Sequence, residues 1–167
     1  PKSLSDLGAL TTEATDQITI TVSDNAGDAV TATDLSTLGG KTSGTVTVSN
    51  AVAITGSAAE LTAALVTTDS LVVVSDATVT ITGNPTISEL NAIAAKTSGV
   101  VTATLAADSL SNLGALTTAG TDAITITVND AEGDPVIASD LSTLGGKTAG
   151  TVTVSDALDI TGLSLIH

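Results

Sequence analysis

Residues 3–56 read SLSDLGALTTEATDQITITVSDNAGDAVTATDLSTLGGKTSGTVTVSNAVAITG, and residues 109–162 read SLSNLGALTTAGTDAITITVNDAEGDPVIASDLSTLGGKTAGTVTVSDALDITG. The two segments, called copy 1 and copy 2, are offset by 106 residues without a gap. Of their 54 aligned positions, 40 carry the same residue. Identity at this level over this length indicates an internal repeat, so the fold is read from a repeating unit.

A shorter period runs through the chain. A polar residue, a leucine, two further residues and an aliphatic residue recur, with successive leading leucines 23 to 29 residues apart. This spacing is helical and places the two aliphatic side chains on one face. The leading leucines are Leu7, Leu35, Leu61, Leu90, Leu113 and Leu141. The period predicts one short helix in each unit of about 27 residues.

Start and stop signals flank several of the predicted helices. Capping boxes are predicted at Ser57–Glu60, at Thr86–Glu89 and, with a shorter acid, at Thr31–Asp34. The pairs Gly39-Gly40 and Gly145-Gly146 predict helix ends at which a residue adopts positive φ.

A strand-like stretch follows each helical motif. Valine or isoleucine alternates with threonine, which predicts a strand with its aliphatic side chains inward and its threonines outward. The predicted outward threonines are Thr19, Thr21, Thr45, Thr47, Thr78, Thr80, Thr82, Thr102, Thr104, Thr125, Thr127, Thr151 and Thr153.

These patterns predict a β-rich repeat solenoid over residues 1–162, either a parallel β-solenoid or an α/β solenoid. It would have about six coils, each with a short helix, and one strand per coil in a flat parallel sheet. The chain has no Phe, Trp, Tyr, Met or Cys, and a coil can fill its interior with aliphatic residues stacked on their own copies. The alternative is a set of tandem immunoglobulin-like β-sandwiches, because 106 residues is close to the size of one sandwich.

The charge balance excludes several classes of partner. The chain carries 18 acidic residues against four lysines and arginines, a formal charge of −14. Such a surface repels phosphates, so neither nucleic acid nor an anionic membrane is an expected partner. There is no apolar run long enough to insert into a bilayer. The motif Leu38-Gly39-Gly40-Lys41-Thr42 lacks the first glycine of a P-loop and predicts a helix end followed by an exposed lysine.

No catalytic arrangement is present in the sequence. Nucleophile–base pairs and zinc sites need histidine or cysteine, and the chain has no cysteine and one histidine, His167. Residues 163–167, LSLIH, begin where copy 2 stops following copy 1, and they resemble the translation of a transposase-end adapter. We interpret them as a non-native tail. The sequence therefore predicts a protein that is not an enzyme and has no cofactor.

Two acidic loops are candidate calcium sites. Asp24 and Asp28 flank the loop of copy 1, and Asp130 and Asp134 flank that of copy 2. Flexible acidic loops supply the oxygen ligands that Ca²⁺ prefers, but the spacing fits neither an EF-hand nor a glycine–aspartate nonapeptide. A solvated turn, in which Asp and Gly serve the geometry, is the favoured alternative.

The outward threonines are a second candidate site. A regular array of hydroxyl and methyl groups is typical of ice-binding solenoids with Thr-x-Thr motifs. The competing interpretation is that threonine simply suits a strand with a wet outer face.

Runs such as ITITV, DLSTLGGKT, GTVTVS and AITGSAAEL resemble the tandem repeats of giant cell-surface and secreted proteins of marine cyanobacteria. The resemblance implies an extracellular, acidic repeat protein concerned with surface coating, adhesion or motility. We therefore expect a structural or adhesive segment at the cell surface or outside the cell. Its expected partners are neighbouring repeats of the same chain and, beyond them, surface polysaccharide or other cells. The alternative function is a ligand-binding face for ice, Ca²⁺ or polysaccharide.

Overall fold

A computed structural model describes residues 1–68 and 72–162 of the chain. Over these residues the protein is an α/β fold in which short helices alternate with short parallel strands. The tail predicted at residues 163–167 lies outside the described residues. Residues 57–108, which connect copy 1 to copy 2, are called the spacer.

The described residues contain six α-helices of four or eight residues. They are α1 (Leu4–Leu7), α2 (Ala32–Gly39), α3 (Ala58–Leu61), α4 (Ile87–Ala94), α5 (Leu110–Leu113) and α6 (Ala138–Gly145). A π-helical segment, Thr62–Val66, continues α3. Each helix contains the leading leucine of one predicted motif. The predicted helical spacing is confirmed in α2, α4 and α6, which contain both residues of the motif, whereas α1, α3 and α5 end at the leading leucine.

Eleven strands of two to six residues are present in the described part of the chain. They are β1 (Ile20–Val22), β2 (Ala29–Thr31), β3 (Val46–Val48), β4 (Ala53–Ser57), β5 (Val72–Val73), β6 (Thr78–Thr82), β7 (Val101–Thr104), β8 (Ala123–Val128), β9 (Pro135–Ile137), β10 (Val152–Val154) and β11 (Asp159–Thr161). Most follow the predicted alternation, with aliphatic side chains buried and threonines outward.

The described strands form three sheets, and every pairing is parallel. The sheets have the orders β1-β3-β5, β10-β8-β7-β6-β4-β2 and β11-β9. Pairing joins equivalent positions of successive units: Ile20 lies opposite Val46, which lies opposite Val72. Strand β8 serves two neighbours, because residues 123–125 pair with β7 and residues 126–128 pair with β10.

The prediction of a β-rich solenoid with one flat sheet is wrong, and so is the sandwich alternative. Parallel pairing throughout the described sheets excludes the antiparallel sandwich. The strands are too short to dominate the fold, and they divide into three sheets. Helices supply many of the largest buried side chains, which include Leu35, Leu38, Leu61, Leu90, Ile93, Leu113 and Leu144.

All three predicted capping residues begin a helix, but the capping box is complete at only two of them, and the helix ends do not follow the sequence signals. Complete capping boxes form at Ser57 with Glu60 and at Thr86 with Glu89. Gly40 and Gly146, by contrast, have φ of −69° and −70°, so the prediction of positive φ at these helix ends is wrong. Among the described residues the positive-φ glycines are Gly27, Gly83, Gly133 and Gly162, of which Gly27 and Gly133 lie in turns.

The core is a single continuous cluster of aliphatic side chains that joins both copies and the spacer. Inward valines and isoleucines of the strands pack against leucines of the helices. A short unit cannot enclose its own apolar side, so each unit is buried largely by the units before and after it.

Candidate functional site

The acidic loop of copy 1 is a turn in which both aspartates have structural hydrogen bonds. Asp24 Oδ2 accepts a bond of 2.7 Å from the backbone N–H of Leu4, at the start of α1. Asp28 Oδ2 accepts bonds from the backbone N–H of Asn25, at 2.8 Å, and from its side-chain amide. Gly27 takes the positive φ that closes the turn.

The loop of copy 2 repeats this arrangement. Asp130 Oδ2 accepts a bond of 2.8 Å from Leu110 N–H at the start of α5, and Asp134 Oδ2 accepts one of 3.2 Å from Ala131 N–H. The carboxylates therefore hold helix starts and turns. Among the described residues no three acidic or histidine side chains come together as a set of metal ligands. Calcium binding at Asp24, Asp28, Asp130 and Asp134 stays a prediction.

The predicted threonine array is divided between sheets. Thr21 and Thr47 face each other on the first sheet, where the next strand presents Val73 instead. Thr80 and Thr102 face each other on the six-stranded sheet. The same sheet holds the pairs Thr104–Thr125 and Thr127–Thr153. Thr19, Thr45 and Thr151 precede their strands by one residue.

One file of threonines runs across four neighbouring strands of the six-stranded sheet. Thr31 pairs with Thr55, Thr55 with Thr80, and Thr80 with Thr102, and all four side chains are exposed. Thr31 and Thr55 were not among the predicted threonines, because they lie in the second strand of their units. The short sequences around them do not show the threonine–aliphatic alternation. The file is the most regular exposed row of hydroxyl groups among the described strands.

Two equivalent grooves recur on the described surface. They have volumes of about 460 and 470 Å³, and each lining residue of one has its counterpart 106 residues away in the other. In copy 1 the groove lies between α1 and α2, with Asp24 and Asp34 among its polar side chains and Val30 among its apolar ones. The groove recurs in copy 2, which follows the spacer in the chain, so it is formed by the repeated sequence itself.

The grooves lie where the sheets stop. The outer edges of β2 and β9 line the two grooves, and no other described strand pairs with either edge. The segment before α5, residues 105–109, contains no strand that could continue the sheet from β7 to β9. The third sheet is therefore separated from the six-stranded one.

A lysine–threonine–glycine corner joins neighbouring units and was missed in the sequence. Lys41 Nζ donates to the carbonyl oxygens of Gly8, at 2.8 Å, and Leu10, at 2.6 Å, and Lys147 Nζ does the same at Gly114 and Leu116. The prediction of an exposed lysine at position 41 is therefore wrong: the side chains of Lys41 and of its counterpart Lys147 are half-buried, and each bridges two units. The sequence signal that indicates this corner is the repeated motif KTSG at residues 41–44 and KTAG at residues 147–150.

The threonine and glycine of this corner meet the preceding unit. The buried hydroxyl of Thr42 accepts bonds from Ile18 N–H, at 2.9 Å, and Gly44 N–H, at 2.8 Å. A Cβ on Gly44 would overlap the carbonyl of Ile18. In copy 2 the hydroxyl of Thr148 accepts the equivalent bonds from Ile124 N–H and Gly150 N–H. A Cβ on Gly150 would overlap the carbonyl of Ile124, and a Cβ on Gly99 would overlap that of Ala77.

The exposed glutamates of the two capping boxes have perturbed acidity. Hydrogen bonds from the backbone N–H and then the hydroxyl of Ser57 lower the pKa of Glu60, and a bond from Thr33 adds to this. Bonds from the backbone and hydroxyl of Thr86 lower the pKa of Glu89 in the same way. Each shift belongs to a helix start, so neither marks a catalytic carboxylate.

Among the described helices, none has the length and apolarity needed to cross a membrane. Neither the family models nor the curated proteins nor the solved structures compared with this chain contain a match to it.

Proposed function

We propose that this chain is a structural or adhesive repeat segment of a large extracellular or cell-surface protein and performs no catalysis. The observation that carries the proposal is burial between units: equivalent aliphatic residues such as Ile20, Val46 and Val72 lie opposite one another in successive strands and are all buried. A protein built this way sets its length by the number of its units.

Polar contacts between units support the same role. The lysine of each corner binds carbonyls more than 30 residues earlier. Asn91 in α4 donates to the carbonyl of Ala115 at 2.9 Å and accepts from Thr117 N–H at 2.8 Å. These bonds use backbone groups that would otherwise lie unpaired at the joins between units. The joins are thus polar at the edge and aliphatic at the centre.

The surface chemistry agrees with an extended protein outside the cell. A charge of −14 keeps a long exposed chain soluble. The resemblance of its runs to cyanobacterial surface repeats points to the same location. An antibody to copy 1 that labels intact cells of the source organism would support this location, whereas labelling only after permeabilisation would contradict it.

A second candidate function is a ligand-binding sheet face, which the file Thr31–Thr55–Thr80–Thr102 favours. These four exposed hydroxyls are repeated at the strand spacing, about 4.8 Å, and can face a periodic surface such as ice or an extended polysaccharide. The acidic loops add calcium as a further candidate ligand.

Three measurements on the full chain separate the two functions: thermal hysteresis, and calorimetric titration with Ca²⁺ and with polysaccharide. The structural proposal expects no thermal hysteresis and no heat on addition of Ca²⁺ or of an acidic or neutral polysaccharide. A response that is lost in a variant with Thr55→Lys and Thr80→Lys, but kept in one with Thr21→Lys and Thr47→Lys, would establish the threonine file as a binding face. A calcium heat that disappears with Asp28→Asn and Asp134→Asn would place the ion at the loops.

A further inference from the structure

The two ends of the molecule expose residues that are buried at the equivalent positions inside it. In copy 1, Ile54 is 1% exposed, whereas its counterpart in copy 2, Ile160, is 51% exposed. In copy 2, Ile124 is fully buried, whereas its counterpart in copy 1, Ile18, is 37% exposed. The sequence around each pair is nearly the same, so the difference arises from what covers them.

The face at the end of copy 2 is called the trailing face. Its members are aliphatic residues that are exposed or half-buried, while their counterparts in copy 1 are buried: Leu141, Val152, Val154, Leu158 and Ile160. In copy 1 this face is covered by the first half of the spacer. Strand β5 pairs with β3, strand β6 pairs with β4, and the π-helical segment packs on α2.

The face at the start of copy 1 is called the leading face. Leu7 and Leu10 are half-buried and Ile18 is exposed, but their counterparts Leu113 and Leu116 in copy 2 are buried. In copy 2 this face is covered by the second half of the spacer, in which β7 pairs with β8 and Asn91 of α4 binds residues 115 and 117.

A polar group on the leading face shows the same relationship. In copy 2 the buried carboxylate of Asp122 accepts bonds from Ala119 N–H, at 2.9 Å, and from Val101 N–H of the spacer, at 2.8 Å. In copy 1 its counterpart Asp16 is exposed and accepts the equivalent bond from Glu13 N–H. A spacer on the leading face would supply the second N–H.

We infer that each end of this chain is a docking surface for a further segment of the spacer type, residues 57–108. The trailing face fits its first half, and the leading face fits its second half. Since both faces require a spacer, they do not fit each other directly, and a second copy of this chain is not the expected occupant. The inference rests on the proposed structural role, but its test does not involve location or ligand binding.

The test inserts a second copy of residues 57–108 after Gly162 in the full chain and follows amide hydrogen exchange. We expect the amides of β10 and β11 to exchange more slowly than in the parent chain, by about tenfold or more, because their strands gain a neighbour. A matched control carries Leu61→Ser and Val79→Ser in the inserted copy only, and should exchange like the parent.

Three outcomes would overturn the inference. The first is exchange in β10 and β11 that is unchanged by the insertion. The second is equal protection by the inserted copy and by its double-serine control. The third is head-to-tail polymerisation of the parent chain in sedimentation, abolished by Ile18→Lys or Ile160→Lys, since that would show the two faces binding each other without a spacer.

Discussion

The hydroxyl of Thr148 lies 2.8 Å from the backbone nitrogen of Ile124, a residue 24 positions earlier, and both residues are buried. The same oxygen accepts a bond from Gly150 N–H at 2.7 Å and lies within donating distance of the carbonyls of Asp122 and Ile124. One hydroxyl thus satisfies backbone groups of two successive units at their join.

Replacement of this hydroxyl should destabilise the protein without changing its shape. Thr148→Val leaves the N–H groups of Ile124 and Gly150 without this acceptor, and we expect a loss of about 2 kcal/mol in the free energy of unfolding, measured with urea. Thr102→Val, at an exposed strand position, is the control and should change stability by less than about 0.5 kcal/mol. If Thr148→Val lost no more stability than Thr102→Val, the buried hydrogen bonds of Thr148 would contribute nothing to the free energy of unfolding.

The glycine of the same corner should be irreplaceable for a steric reason. A Cβ at position 150 would overlap the carbonyl of Ile124, which is backbone and cannot move aside alone. Gly150→Ala should therefore cost about 3 kcal/mol in urea unfolding. Gly145→Ala, at the end of α6 with open space around it, should be neutral or stabilise by up to about 1 kcal/mol. Tolerance of both would mean that units are not in close contact at this corner.

The internal repeat provides a matched pair of carboxylates for a third prediction. In Asp122→Asn the amide nitrogen cannot accept, so either Val101 N–H or Ala119 N–H loses its acceptor at a buried site, and we expect a loss of about 2 kcal/mol. Asp16→Asn removes only the exposed bond to Glu13 N–H and should cost less than about 0.5 kcal/mol. A larger effect at Asp16, measured by thermal unfolding, would contradict this assignment.

The fourth prediction concerns acid and the capping box at Thr86 and Glu89. The pKa of Glu89 is lowered in the fold, so its contribution to stability is complete above its unfolded value of about 4.3 and is lost as the pH falls through the folded value. The stability difference between the parent and Glu89→Ala should therefore be largest above about pH 5 and shrink below pH 4. Glu60→Ala, at the other complete capping box, should show the same trend, because its pKa is lowered by bonds from Ser57. A stability difference between the parent and Glu89→Ala that grows as the pH falls would contradict a lowered pKa for Glu89.

The local elements were predictable from the sequence, but their assembly was not. The spacing of Leu35 and Leu38 predicts α2, and the pair Thr86–Glu89 predicts the start of α4, because these signals act within four residues. The separation of the third sheet from the six-stranded one depends on the lack of a strand in residues 105–109, and a continuous repeat pattern in the sequence conceals this gap.

The contacts of the candidate sites show the same limit. The acidic residues Asp24 and Asp130 suggest calcium binding from the sequence. In the structure, each carboxylate accepts a hydrogen bond from the first residue of a helix 20 residues earlier. The corner Lys41-Thr42 is visible in the sequence as a repeated motif, but its acceptors lie 24 to 33 residues away. Repetition shows that a position recurs and does not show which group it meets.

The most direct measurement of burial by neighbouring units compares Ile54→Asp with Ile160→Asp. Both isoleucines follow a similar local sequence, and only Ile54 is covered by the spacer. We predict that Ile54→Asp lowers the free energy of unfolding by about 4 kcal/mol or more, because it buries an unpaired charge. Ile160→Asp should cost about 1 kcal/mol or less. Equal losses in the two variants would show that each unit encloses its own aliphatic side chains and would contradict the account.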